Sequence, residues 1–299
     1  MTSGADDRPS RGWTAAPVAR LAAFAILLAV LAGVAALVGR ASGLDVEESA
    51  GHESAGGAPH GGEAPAARGA NGLSDASAGL RLRLEPATLE AGVRSRLELA
   101  IVDRHGEPIG ALHASHGEPP LHLILVRRDL SGYQHLHPKR SGESYVADVA
   151  LPLPGIWRAY ADFEIDGEKI VLGRDLFVPG EFAPLPLPAI AATTRAESYD
   201  VELGREELRA GAETTLRFLI SRSGEPVEAL QPYLGAAGHL VAIREDDLTY
   251  LHVHPFEGSA TGRIGFGADF AEPGRYALFL QFRHEGRVRT ARFTVAVDR

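Results

Sequence analysis

The feature that most constrains this chain is that residues 80–299 carry one module twice. GEPIGAL (106–112) recurs as GEPVEAL (224–230), and PGIWRAYADF (154–163) as PGRYALFLQF (273–282). HLILVRRDLSGYQHLHP (122–138) recurs as HLVAIREDDLTYLHVHP (239–255), with 8 of 17 positions identical and no gap. Order and spacing hold throughout, with offsets of 117 to 119. A module of about 100 residues, duplicated, is the simplest account, and the chain length of 299 has room for two such domains. Module one is placed at 80–180 and module two at 196–299, with a Pro-rich linker over 181–195 whose alternating prolines favour an extended, semi-rigid spacer.

Each module reads as strands. Leu97, Leu99 and Ile101 alternate with Arg96, Glu98 and Ala100. Leu216, Phe218 and Ile220 repeat the pattern, and Ala291, Phe293, Val295 and Val297 form a last strand. A period of two marks a half-buried β-strand. Turn signals such as Pro154-Gly155, Asp166-Gly167, Pro273-Gly274 and Glu285-Gly286 separate the runs. The expected fold class is all-β: two tandem immunoglobulin-like β-sandwich modules, with Trp157 and Tyr276 filling the two cores.

Upstream, Leu21 to Gly39 carries no charge over 19 residues. As a helix it would span about 28 Å, close to the hydrocarbon thickness of a bilayer. Arg8, Arg11 and Arg20 precede it, which predicts a cytoplasmic N-terminus, a transmembrane helix at 21–39 and extracytoplasmic domains beyond. A cleaved signal peptide is the competing reading, but the run is long and no clean small-x-small site follows it. Residues 41–79, rich in Gly, Ala, Ser and Glu, are expected to be a disordered linker, with His52 and His60 as solvated tether residues.

Composition removes several function classes. With 30 basic and 39 acidic residues the net charge is -9, which argues against nucleic acid as a partner. There is no Cys and the one Met is Met1. Disulfides, a lipoprotein anchor, a Cys nucleophile, thiolate metal sites, a blue-copper centre and thioether capture of Cu(I) are all excluded. No G-x-S-x-G elbow, phosphate loop or H-E-x-x-H is present, and the expectation is no catalysis.

The 12 histidines are the remaining chemistry. His122, His135 and His137 in copy one, and His239, His252 and His254 in copy two, follow H-x12-H-x-H-P. Residues two apart on a strand share a face, so His135, His137 and Tyr133 point the same way. If Arg127 pairs with Gly132 across a hairpin, His122 lies opposite His137 and three imidazoles converge. A register shift of one would flip the face and destroy the cluster. Three imidazoles with one open position suit Cu(II) or Zn(II), with Asp129 and Asp246 as candidates to orient the rings. Copy one adds His105, His113 and His116, where copy two offers Ser223, Gln231 and Leu234. A structural His–Tyr cluster, packed at the contact between domains, is the alternative. A cupin-type metal enzyme built on His252, His254 and Glu257 is a third, disfavoured because the Glu spacing is too short and Glu143 stands at a different distance in copy one.

The stretch QPYLGAAGHLVAIREDDLTYLHVHP (231–255), with its GHLV and YLHVHP elements, resembles a family of uncharacterised bacterial extracytoplasmic proteins. The resemblance covers residues 80–299. It implies a membrane segment followed by immunoglobulin-like or cupredoxin-like modules, and it is loosely similar to β-sandwich proteins of copper and heavy-metal handling. The chain lacks the Met-rich segments and Cys ligands of copper carriers.

Overall fold

The computed structural model describes residues 71–113, 119–204, 207–256 and 261–299, leaving out the side chains of His252 and His254. The expected anchor at 21–39, His52, His60, His116 and Glu257 lie outside the described residues. Among the described residues the chain is all-β, and no helix is long and apolar enough to cross a membrane.

Module one contributes β1 (Ala76–Ser77), β2 (Leu80–Glu85), β3 (Arg94–Val102), β4 (Leu121–Arg127), β5 (Gln134–Leu136), β6 (Lys139–Ser141), β7 (Ser144–Ala150), β8 (Gly155–Ile165) and β9 (Glu168–Val178). They form two sheets, ordered β1-β2-β3-β7-β6 and β5-β4-β8-β9. Module two contributes β10 (Thr193–Ala196), β11 (Tyr199–Leu203), β12 (Glu213–Arg222), β13 (Glu225–Pro226), β14 (Gly238–Arg244), β15 (Tyr250–His252), β16 (His254–Pro255), β17 (Arg263–Asp269), β18 (Gly274–His284) and β19 (Arg287–Val297). Its sheets run β10-β11-β12-β17-β16 and β15-β14-β18-β19.

The alternating strands explain the pairing of sheets. Leu97, Leu99 and Ile101 are buried while Arg96 and Glu98 face water; Leu216, Phe218 and Ile220 do the same on β12. Each module therefore closes two sheets over a core, with Trp157 in one and Tyr276 in the other. Both aromatics bond four residues back, Trp157 Nε1 to the Leu153 carbonyl and the Tyr276 hydroxyl to the Glu272 carbonyl. The β8–β9 and β18–β19 hairpins turn on Asp166-Gly167 and Glu285-Gly286 with φ positive at both positions, as two-residue turns compatible with strand twist require.

One strand breaks the half-buried rule. All seven residues of β4 are buried. Leu121, Leu123 and Leu125 enter the module-one core, whereas Ile124 and Val126 join a third cluster with Tyr160, Val241, Ile243, Leu248, Tyr250 and Phe279. The four-stranded sheets of the two modules thus pack together through the faces turned away from their own cores. Rings alternate across this seam: Tyr133 stacks on Phe279 (centroids 4.1 Å apart) and Tyr250 lies against Tyr160 (5.2 Å).

Two segments, one expected to be disordered and the other a semi-rigid spacer, are tied to the packed modules. The disordered linker expected over 41–79 is already ordered from Asn71. Gly72 N–H bonds the Val171 carbonyl, Gly173 N–H the Ser74 carbonyl and Tyr250 N–H the Asn71 carbonyl, while Arg158 donates to the carbonyls of Gly72 and Leu73. Specific backbone bonds offset the ordering entropy that composition alone cannot. The Pro-rich linker is irregular only as far as Ala192, since its last three residues belong to β10, and its irregular part is docked on the modules. Arg127 donates to the Ala183 carbonyl, Asp129 accepts from Leu185 N–H, and Leu187 packs on the seam cluster.

Candidate functional site

The site grows from strand parity. On β4 the residues facing the seam are His122, Ile124 and Val126; on β5 and its extensions they are Tyr133, His135 and His137. The register Leu123↔Leu136, Ile124↔His135, Leu125↔Gln134 continues to put His122 opposite His137. The partner module has the same register, Val241↔His252 and Ile243↔Tyr250, with His239 facing the seam ahead of Val241 and Ile243.

His122, His135 and His137 each offer one ring nitrogen such that all three lie within 4.8 Å of one another. His122 Nδ1 and His135 Nε2 are 2.8 Å apart and share a proton. On its other side, His135 Nδ1 lies 2.6 Å from Gln281 Oε1. The amide oxygen can only accept, so Nδ1 carries the hydrogen and Nε2 keeps its lone pair toward the cluster. His137 Nε2 is buried with no hydrogen-bond partner among the described residues. Burial, then the His122 charge, hold the His135 imidazole down at about 3, and burial lowers His137 too. At neutral pH His135 is therefore an uncharged ring, the form in which imidazole binds metals.

His239 belongs to the same group of rings. It stacks on His122 at 5.3 Å between centroids and tilts against His135 at 4.6 Å. The structure therefore gathers four of the six histidines proposed as ligands, three from module one and one from module two. For His252 and His254 only the backbone positions on β15 and β16 are described. His113 lines a small cavity beside the cluster, together with His122, Asp162 and His239. His105 sits in an exposed turn against Arg104 Nε, away from the cluster. Glu143 is exposed on the β6–β7 turn.

The ring-orienting partners differ from expectation. Asp129 does not reach the histidines: it receives Arg127 Nε at 3.0 Å, the Ser131 hydroxyl and Leu185 N–H. Burial alone would raise its pKa, but those donors outweigh it and hold the carboxyl at about 2. Asp246 faces Arg244 on the surface. The partner of His135 is Gln281 of module two, the ladder neighbour of His239. Its counterpart Asp162 is the ladder neighbour of His122 and accepts from the Tyr250 hydroxyl at 2.9 Å. Parity within a single module cannot reveal a partner supplied by the other. The available signal was that two otherwise matched frames, YAD and FLQ, differ at Asp162 and Gln281.

The family described as Domain of unknown function (DUF8832) matches this chain twice, over residues 75–178 and 193–299. No curated protein matches it. Among solved structures, a Salmonella alpha-2-macroglobulin is similar at 14% identity and a TM-score of 0.27, covering 76% of this chain and 15% of its own. The Escherichia coli adhesin FdeC is similar at 17% identity and a TM-score of 0.25, covering 77% of this chain and 65% of its own. The chain thus spans less than two thirds of either. Likeness at these scores carries no argument about function.

Proposed function

We propose that this chain, which belongs through both of its modules to the family described as Domain of unknown function (DUF8832), is a non-catalytic binder of one divalent transition-metal ion, Cu(II) or Zn(II). The ion is held by His122, His135 and His137. In this reading the modules are immunoglobulin-like and stand outside the cell, tethered by a single membrane span at 21–39, with the uncharged run and the upstream arginines as support.

The observation that carries the metal reading is the convergence of three ring nitrogens within 4.8 Å. Imidazole–metal bonds of about 2.0–2.1 Å need each nitrogen to move by less than about 1 Å from there. Two further features support it. His137 Nε2 is a buried nitrogen without a partner among the described residues, a state that costs free energy until something binds it. Gln281 fixes the His135 tautomer as an outer partner of a metal-bound imidazole does. Loading would shift the His122 hydrogen from Nδ1 to the other nitrogen of that ring, and because protons compete with the ion for the same imidazole lone pairs, uptake weakens on acidification.

The test is calorimetry of the full-length chain with Cu(II) and with Zn(II), alongside His135→Ala and His137→Ala. One equivalent in the wild type and none in the variants is expected. Unchanged binding in both variants removes the site. The completed chain of bonds from His122 through His135 to Gln281 favours a second reading, in which these residues only pack and specify the seam. A wild-type chain that takes up neither ion decides for it.

A further inference from the structure

The metal reading places all three ligands in module one, yet the rings at the site do not come from one module. His239 on β14 meets His122 and His135 at centroid separations of 5.3 and 4.6 Å. His137, an assigned ligand, meets the same two rings at 5.2 and 4.8 Å. His122 and His135 themselves stand 5.1 Å apart. With nitrogens about 2.0–2.1 Å from an ion, the ring centroids of two imidazoles in tetrahedral array come out about 5.2 Å apart. His239 therefore stands beside the pair at a ring spacing like that of His137, although its nitrogens lie outside the group of three within 4.8 Å of one another and would have to turn toward the ion on loading.

A second observation is independent of ring spacing. His122 and His239 line one cavity of about 40 Å³, whose wall also carries Asp162, Glu164, Lys169 and His113. One ring from each module thus borders a single small space, large enough for a water, on the side of His122 and His239 away from His135 and His137, which do not line it. With Lys169 set beside its ladder partner Glu164, Asp162 leaves that wall with a net negative formal charge.

We infer that His239 is the fourth protein ligand, so that one ion is held by both modules and pins the seam between them. The inference rests on the metal reading above and goes beyond it by replacing two independent triplets with one composite site. An ion bound in this way would bind the packed pair of modules more tightly than either one alone. It would raise the stability of the seam by mass action.

X-ray absorption on the zinc-loaded full-length chain counts imidazoles directly and needs no variant to fold. Four in the wild type, three in His239→Ala and His239→Gln, and an affinity lower by tenfold or more in both variants are expected. Three imidazoles plus oxygen in the wild type, or variants that match the wild type in count and affinity, would overturn the role of His239 and leave the three-histidine site standing. A wild type that binds neither Zn(II) nor Cu(II) overturns both readings together.

Discussion

The two modules are built on one plan, and they differ most where they touch. Their own cores are interchangeable in design: each aromatic after the Pro-Gly turn bonds four residues back, and each β-hairpin beside the seam has the same register. On the outer face of the four-stranded sheets, equivalent positions carry different chemistry. Tyr160 corresponds to Phe279, Asp162 to Gln281, and Gly173 to Arg292. A duplicated fold keeps its interior under the same packing demand in both copies. Its outer faces, once pressed together, become a hetero-interface in which each side answers the other. The Tyr160 hydroxyl bonds the Leu248 carbonyl across the seam, whereas Phe279 lies flat on Tyr133. Gly173 leaves room for the Asn71–Ser74 strap, and Arg292 instead lays its guanidinium over Phe279 at 5.7 Å.

The sharpest way to break this comparison is to empty the seam on one side. Phe279 is 2% exposed and belongs to no module's own core. Phe279→Ala should cost about 3–5 kcal/mol in denaturant unfolding, the range for a buried aromatic. If the modules were independent beads, the loss would fall to that of a surface residue, within about 0.5 kcal/mol. The next effect comes from the strap. A Cβ on residue 173 would sit 1.8 Å from the Gly72 carbonyl oxygen, a backbone atom with little freedom to give. Gly173→Ala should therefore cost about 3 kcal/mol, at the upper end for overpacking. Arg292→Ala, its counterpart, should lose only about 1 kcal/mol of cation–π contact. Equal costs at the two positions would mean that the strap is not part of the folded unit.

A smaller effect sharpens the comparison at the site. Gln281→Leu keeps the volume but removes the acceptor for His135 Nδ1. Metal affinity should fall about 10- to 100-fold, as for other outer partners of ligating histidines. Asp162→Asn keeps an acceptor for the Tyr250 hydroxyl and should leave affinity within about threefold, a change well under one tenfold step. Calorimetric titration reads both. If Asp162→Asn proves the more damaging, module one supplies the second sphere and the cross-seam assignment is wrong.

How much of this was legible follows from the range of the signals. Period-two alternation reports which face of a strand is apolar, and Leu97-Leu99-Ile101 announced both the strand and its core face. The repeat carried the hairpin register from one copy to the other, so the meeting of His122, His135 and His137 was readable from parity and one turn. β4 was the exception in plain view. LHLILVR has no polar alternation because both of its faces are buried. Such a run marks a strand covered twice, the sign that the sandwiches pack on each other. Gln281 and His239 were placed at the site by docking between modules, a contact between faces far apart in sequence. No local period encodes it. Asp129 misled for the opposite reason: a turn carboxylate close in sequence to the histidines is turned the other way, onto Arg127.

That carboxylate gives the last and smallest prediction. Asp129 is held at about 2 by Arg127, Ser131 and Leu185 N–H, against 3.8 for an ordinary aspartate. The unfolded chain therefore takes up this proton first as pH falls. Stability from the pair is fully present above about pH 4 and is lost on the way down to about pH 2. With solvent screening allowed for, the loss over that window should be on the order of 1 kcal/mol. Asp129→Asn should flatten this slope, whatever it does to the plateau at neutral pH. Asp246, the counterpart, has a side chain 68% exposed and 3.7 Å from Arg244, so Asp246→Asn should leave the slope in place. Denaturant titrations from pH 5 to about pH 2 separate the two. A slope that survives Asp129→Asn, or vanishes with Asp246→Asn, would show that the linker clasp of module one is no different from the bare turn of module two.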